Sequence, residues 1–258
     1  MFHNIRGIIF DFDGTLFDYA LFPFWLISAC PPDMLRIQKE RLVRKRFAGC
    51  DYATAGAYYA AFFTALGEAC RRSADSMRHW YFHRYMPRMI QVLRKRYSPR
   101  PGVKEFFKRL EFPRGSPWGL PADFPKAAVY SDYPCLRERL EALGLEGGPH
   151  LPLYGPESFG SQKPAARPFL RIAEDLSVRP EEVLVIGDRE ETDGQGAFNA
   201  GMRFFCLATG RRRYFRLDPY RRHPAKDERP PGPSIPMYSG AWEDLRKQWI
   251  ENKRTMNR

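Results

Sequence analysis

No apolar run in the 258 residues approaches the ~18 that a membrane-crossing helix requires. The first residues lead straight into a strand pattern, without a charged region, an apolar core and a small-residue cleavage site in that order, so no signal peptide is expected. The five cysteines, at 30, 50, 70, 135 and 206, are odd in number and far apart. No CxxC pair or Cys/His cluster joins them, which argues against a disulfide framework or a zinc site and for reduced thiols in a cytoplasmic protein. Acidic residues are in deficit, 30 against 42 Lys and Arg, for a net charge of +12. A basic surface attracts nucleic acid, anionic membrane or small anionic substrates, and charge alone does not choose among them. With 43% hydrophobic residues, the chain can build one large domain or two smaller ones.

The stretch around which the rest is organised is Ile8-Ile9-Phe10-Asp11-Phe12-Asp13-Gly14-Thr15-Leu16-Phe17. Its short apolar, partly β-branched start reads as a strand buried on both faces. Two carboxylates stand two residues apart at its end. In extended chain those side chains point the same way, and Gly14 lets the backbone turn off sharply. Asp and Gly are also ordinary turn residues. Clustered carboxylates are costly unless compensated, and a hard cation such as Mg²⁺, which takes carboxylate and phosphate oxygens, compensates them.

From Asp18 to about Ser98 the pattern is helical, with segments over Met34 to Phe47, Ala53 to Cys70 and Ala74 to Tyr97, the last interrupted near Pro87. Tyr97 to Gly102 reads as a linker, Lys104 to Leu110 as a helix, and Phe112 to Pro125 as a loop. Strands are expected over Ala127 to Tyr130, Leu151 to Tyr154, Glu182 to Ile186 and Arg203 to Leu207. Between them lie helices starting at Pro134, over Phe169 to Leu176, and over Asp193 to Gly201. This alternation predicts an α/β fold with a doubly wound, Rossmann-like parallel sheet and an all-helical insertion. Ligands in such sheets sit beyond the carboxyl ends of the strands. Asp11, Ser131 and Asp188 all fall at predicted strand ends, and Lys163 lies in a loop after another.

Four motifs then stand in order: Asp11-Phe12-Asp13-Gly14-Thr15-Leu16, Val129-Tyr130-Ser131, Gln162-Lys163-Pro164, and Gly187-Asp188-Arg189-Glu190-Glu191-Thr192-Asp193. Together they resemble the signatures of the haloacid dehalogenase superfamily, most of whose members are Mg²⁺-dependent phosphatases. Ser131-Asp132-Tyr133-Pro134 and Gly201 resemble the branch containing phosphoglycolate-phosphatase-like enzymes. The insertion matches the helical cap of one large branch. The resemblance therefore implies a catalytic core over 1–17 and 99–258 and a cap over 18–98.

The same resemblance implies roles. Asp11 would be the nucleophile, giving an aspartyl phosphate, and Asp13 the general acid and then base. Ser131 would hydrogen-bond a phosphoryl oxygen, and Lys163 would neutralise charge. Asp11, the backbone carbonyl of Asp13, and Asp188 would ligate Mg²⁺, with Asp193 ligating it or orienting its waters. Plainer roles stand beside these: Ser131 as a helix cap, Lys163 as an exposed loop lysine, Asp193 as an N-cap, and Glu190 or Glu191 in place of Asp193. His79 and His83, at i and i+4 among Trp80, Tyr81, Phe82 and Tyr85, read as residues packed in or near the helical core, not as ligands.

The expected activity is Mg²⁺-dependent hydrolysis of a small phosphate monoester. Phe22-Pro23-Phe24-Trp25 and basic residues of the cap would meet the part of the substrate beyond the phosphate. A phosphomutase is one alternative. A C–P hydrolase, using Lys39 or Lys45 for a Schiff base, is another, and a dehalogenase fits less well. The six arginines between Arg211 and Arg222 read as a solvated loop, with nucleic-acid binding as the less favoured alternative. Residues 236–251 read as a short strand and a final helix presenting Trp242, Leu245 and Trp249.

Overall fold

The computed structural model describes residues 4–112, 115–120, 122, 124–145, 151–207, 237–240 and 242. At its centre is β1 (Gly7–Asp11), every residue of which is buried. Side chains alternate along it: Ile8 and Phe10 face one apolar layer and Ile9 the other. Five further strands are β2 (Lys126–Tyr130), β3 (Leu153–Tyr154), β4 (Val183–Gly187), β5 (Arg203–Leu207) and β6 (Met237–Gly240). They form a parallel sheet in the order β3-β2-β1-β4-β5-β6. Strand order reverses between β1 and β4, which is where an open α/β sheet leaves a crevice beyond its carboxyl ends. The Rossmann-like sheet expected from the alternation is therefore present, and the strand expected after residue 236 is β6.

Between β1 and the helix α6 (Val103–Leu110) the chain is helical: α1 (Phe22–Ser28), α2 (Met34–Arg46), α3 (Ala55–Cys70), α4 (Ala74–Trp80) and α5 (Met86–Arg96). Thr54 and Ser73 cap α3 and α4, each hydroxyl accepting a backbone N–H three residues on. The interruption expected near Pro87 is a π-helical turn at Tyr81–Tyr85, and Pro87 itself opens α5, where its missing N–H costs nothing. The wide turn carries Tyr81 and Tyr85 inward. His79 and His83 are thereby left on the exposed face, stacked on each other at 4.4 Å between ring centroids, which corrects their expected packing in or near the core. The segments leading into and out of the helices lie side by side. Phe17 pairs with Pro99, and Arg100 N donates to the Leu16 carbonyl at 2.8 Å.

The remaining helices are α7 (Leu136–Ala142), α8 (Pro156–Phe159), α9 (Ala166–Asp175) and α10 (Gln195–Asn199). Helix α7 begins at Leu136, two residues beyond the expected Pro134 start, because Cys135 stands in the left-handed conformation at its N-cap. A second seam joins the helical segment to the loops around the sheet. The chain between α2 and α3 runs against the loop before α9: Gly49 N donates to Lys163 O, Gln162 N to Cys50 O, and Tyr52 N to Gly160 O, at 2.9–3.1 Å. Gly160 has φ +64°, and a Cβ there would lie 2.1 Å from the Thr54 carbonyl, so only glycine permits this approach. The Arg167 guanidinium, pairing with Asp51, fastens the same seam.

Candidate active site

Asp11 ends β1 and Asp188 follows β4, so two hydrogen-bonded neighbours present carboxylates at the reversal point of the sheet. Gly14, with φ +87°, turns the chain away. A Cβ at Gly14 would stand 2.2 Å from Asp188 Oδ2, so its lack of a side chain lets the two loops meet. Asp11 is fixed at both oxygens: Lys163 Nζ donates to Oδ1 at 2.6 Å and Thr15 Oγ1 to Oδ2 at 2.9 Å. The same ammonium donates to Asp193 Oδ1 at 2.7 Å. Lys163 is 3% exposed, so it is a buried ion-pairing group and not a loop lysine in solvent.

Asp193 arrives through the π-helical turn Glu190–Gly194 after β4. It lies within that turn and does not cap it; instead its Oδ2 accepts from Arg189 N at 3.3 Å. Carboxylate oxygens of Asp11, Asp188 and Asp193 all lie within 4.8 Å of one another. Neither Glu190 nor Glu191 belongs to that trio, and Glu191 is exposed.

Burial and mutual repulsion set the electrostatics. Burial, reinforced by the Asp193 carboxylate and opposed by Lys163, pushes Asp11 up to about 7. Burial, with Asp11 and Asp193 beside it, pushes Asp188 up to about 8. Asp193 is also raised, by burial. Burial alone would disfavour the Lys163 ammonium, yet Asp11, Asp193 and Asp132 hold it above its ordinary range. Asp188 Oδ1 is buried without a hydrogen-bond partner. An unanswered carboxylate oxygen in a trio already short of positive charge suits a hard divalent cation with oxygen ligands.

Asp13 points elsewhere. Arg139 Nη2 stands 2.6 Å from both of its oxygens, and Ser131 Oγ donates to Oδ2 at 3.3 Å. Ser131 Oγ accepts from Arg139 Nη1 at 2.9 Å and from Tyr133 N at 3.1 Å. Ser131 thus closes a local turn and ties β1 to β2, whereas the cap position of α7 falls to Cys135. The Asp13 carboxylate lies outside the trio.

Of the predicted residues, Asp11, Lys163, Asp188 and Asp193 meet in one group, and Asp13 and Ser131 in an adjoining one. Sequence reasoning missed four contributors. Thr15 holds Asp11, and Asp132 Oδ1 accepts from Lys163 N at 3.0 Å. Arg44 donates to the Asp132 carbonyl at 2.7 Å, and Arg139 holds Asp13. Arg139 had a signal: it stands at i+3 from Leu136, inside the apolar stripe of α7, where a charge is out of place unless paired. Trp242 also reaches the site's floor, donating to the Thr15 carbonyl at 2.9 Å and stacking on Phe10. The Arg211–Arg222 segment, Leu245 and Trp249 lie outside the described residues.

The chain matches the haloacid dehalogenase-like hydrolases over residues 5–201. No curated protein matches it. Among solved structures, it is similar to a predicted phosphoglycolate phosphatase from Haemophilus somnus, at 20% identity and TM-score 0.51, with 81% of this chain and 88% of that one covered. L-2-haloacid dehalogenase from Xanthobacter autotrophicus is similar at 22% identity and TM-score 0.51, over 79% of this chain and 78% of that one. A Bacillus subtilis protein, YfnB, described as a HAD-hydrolase and bound to magnesium, is similar at 17% identity and TM-score 0.57, over 95% and 98%. At these identities the likenesses establish the shared fold.

Proposed function

The chain belongs to the haloacid dehalogenase-like hydrolases, and from that premise we propose that it is a Mg²⁺-dependent phosphatase acting on the phosphate monoester of a small molecule in the cytoplasm. The observation that carries this reading is the split between the two leading aspartates. Asp11 is held by Lys163 and Thr15 beside two further carboxylates, and Asp13, two residues on, is held apart by Arg139 and Ser131. That separation supports a division of labour in which one carboxylate attacks and the other moves a proton. A dehalogenase nucleophile needs neither the acid at Asp13 nor a cation beside Asp188.

The carboxylate of Asp11 attacks phosphorus, forming an Oδ–P bond as the bond from phosphorus to the leaving oxygen breaks. Asp13 gives its proton to that oxygen. Water then attacks the aspartyl phosphate, Asp13 takes the water's proton, and the Oδ–P bond breaks to release phosphate and free Asp11. Lys163 and Ser131 meet the phosphoryl oxygens, since phosphoryl transfer depends mostly on positioning and fixed charge. Asp11, Asp188 and the backbone carbonyl of Asp13 would hold Mg²⁺, with Asp193 as a further ligand or a partner of its waters. When bound, the ion supplies positive charge against the carboxylates and the phosphoryl group.

Residues 18–98 serve as a cap over a core of 1–17 and 99–258. Arg44, reaching from α2 to the Asp132 carbonyl, supports this arrangement. Phosphate release from a panel of aryl and metabolite phosphates, with Mg²⁺ and with a chelator, tests the reading. Turnover is expected only with the metal. Full activity in chelator overturns the metal assignment, and phosphate appearing on a second hydroxyl of the substrate identifies a mutase.

A further inference from the structure

Arg139 has no exposed surface. A guanidinium is buried only where its charge is answered, and a buried pair is by itself poor value for stability compared with apolar packing. Its partners all belong to the loops at the ends of β1 and β2: both oxygens of Asp13 at 2.6 Å, Ser131 Oγ at 2.9 Å and the Tyr133 carbonyl at 3.3 Å. The Phe12 ring lies against its face, 4.2 Å from the guanidinium carbon. The two aspartates therefore have separate cations, Lys163 for Asp11 and Arg139 for Asp13.

We propose that Arg139 is the positioning residue of the proton-transfer step: it holds Asp13 from beneath and sets the direction in which its carboxyl group meets the leaving oxygen. The claim rests on the phosphatase reading above. One nitrogen, Nη2, is shared by both Asp13 oxygens. It can therefore keep one oxygen while the other turns toward the substrate, so that the group swings about a fixed point. Nη1, on Ser131, fixes the guanidinium plane. Arg139 itself does not touch the reacting atoms.

The test is a double-mutant comparison. Arg139→Lys, which keeps the charge but cannot span Asp13 and Ser131, and Arg139→Met are each made in the natural sequence and in an Asp13→Asn background. kcat and KM are measured with Mg²⁺ on an aryl phosphate with a good leaving group and on an alkyl phosphate. A positioning role predicts a kcat loss of up to ~10²-fold on the alkyl phosphate. KM should hold steady and the aryl phosphate should suffer a much smaller loss. In the Asp13→Asn background the same substitutions should cost no more than about twofold, because the residue through which Arg139 acts is already disabled. Equal losses in both backgrounds, equal losses on both substrates, or a loss carried by KM would overturn the proposal, since those are the marks of a structural role or of action through Ser131 alone. If Arg139→Met does not fold, Arg139→Lys decides. If the natural sequence hydrolyses neither ester, the phosphatase reading fails first; if it hydrolyses both and the variants lose uniformly, this inference alone fails.

Discussion

Among the described residues, the buried charges of the helical segment and those at the ends of β1 and β4 are balanced very differently. In the helical segment, Glu40 and Arg44 answer one another. Arg44 donates to Glu40, to the Tyr81 hydroxyl and to the Asp132 carbonyl, and lies over the Tyr133 ring at 4.0 Å, while Tyr85 donates to the second Glu40 oxygen. At the ends of β1 and β4, three carboxylates face the Lys163 ammonium and the nearby Arg189 guanidinium, and Asp188 keeps an oxygen with no partner. The first arrangement pairs its charges within the helical segment and fastens that segment to the Asp132 carbonyl. The second is held in place by the fold although burial disfavours its charges, and a proton or a bound cation would offset that cost.

The two groups should differ most at Asp11. Asp11→Asn should lower turnover by ~10⁴-fold or more, since a neutral amide is a poor nucleophile and a poor ligand. In metal-free buffer its melting temperature should hold or rise, because a repelling charge has gone. A clear fall in metal-free stability would mean that the carboxylate cluster is scaffold after all. Asp13→Asn should cost ~10²- to 10⁴-fold, with the defect largest on alkyl phosphates. On an aryl phosphate, whose phenolate departs unaided, the aspartyl phosphate should persist and be seen in the mass of the intact protein. Equal loss on both ester types with no adduct would reverse the roles assigned to the two aspartates.

Glu40→Gln tests the other side. Removing one partner of a buried pair typically costs about 3–5 kcal/mol, so chemical denaturation should show a large loss of stability where Asp11→Asn shows none. A smaller effect is expected from pH. Asp11 is raised to about 7 and Asp188 to about 8, while unfolded carboxyls ionise near 4. The folded metal-free protein thus holds protons that the unfolded chain has released. The contribution of these two groups to stability is fully present below about pH 4 and is lost as pH rises through 7 and 8. On the proposed reading Mg²⁺ would replace those protons, and its increment in melting temperature should then be larger at pH 8.5 than at pH 5.5. The same increment at both would show that the trio is not where the ion acts. Least affected should be a deletion of residues 211–222, which should leave turnover of small phosphates largely intact; near-complete loss in a folded variant would place that segment in the site.

Much of this was legible in the chain alone, because it depends on near neighbours. The apolar run before Asp11, the alternation of strands and helices, and the position of Asp11, Ser131 and Asp188 at strand ends follow from side-chain periods and turn residues, which act over a few positions. Lys163 and Asp193 were legible as motif members, though nothing local showed that one ammonium would lie between Asp11 and Asp193. Only the tertiary structure decided that Asp13 belongs with Arg139, 126 positions away, and that Arg44 of α2 closes on Asp132. It also chose Asp193 over its neighbours Glu190 and Glu191 for the carboxylate trio, and turned His79 and His83 outward. The physical reason is the same in each case. A motif determines which groups a loop carries, but burial and charge balance are sums over elements distant in sequence, and they exist only once the sheet has brought those elements together.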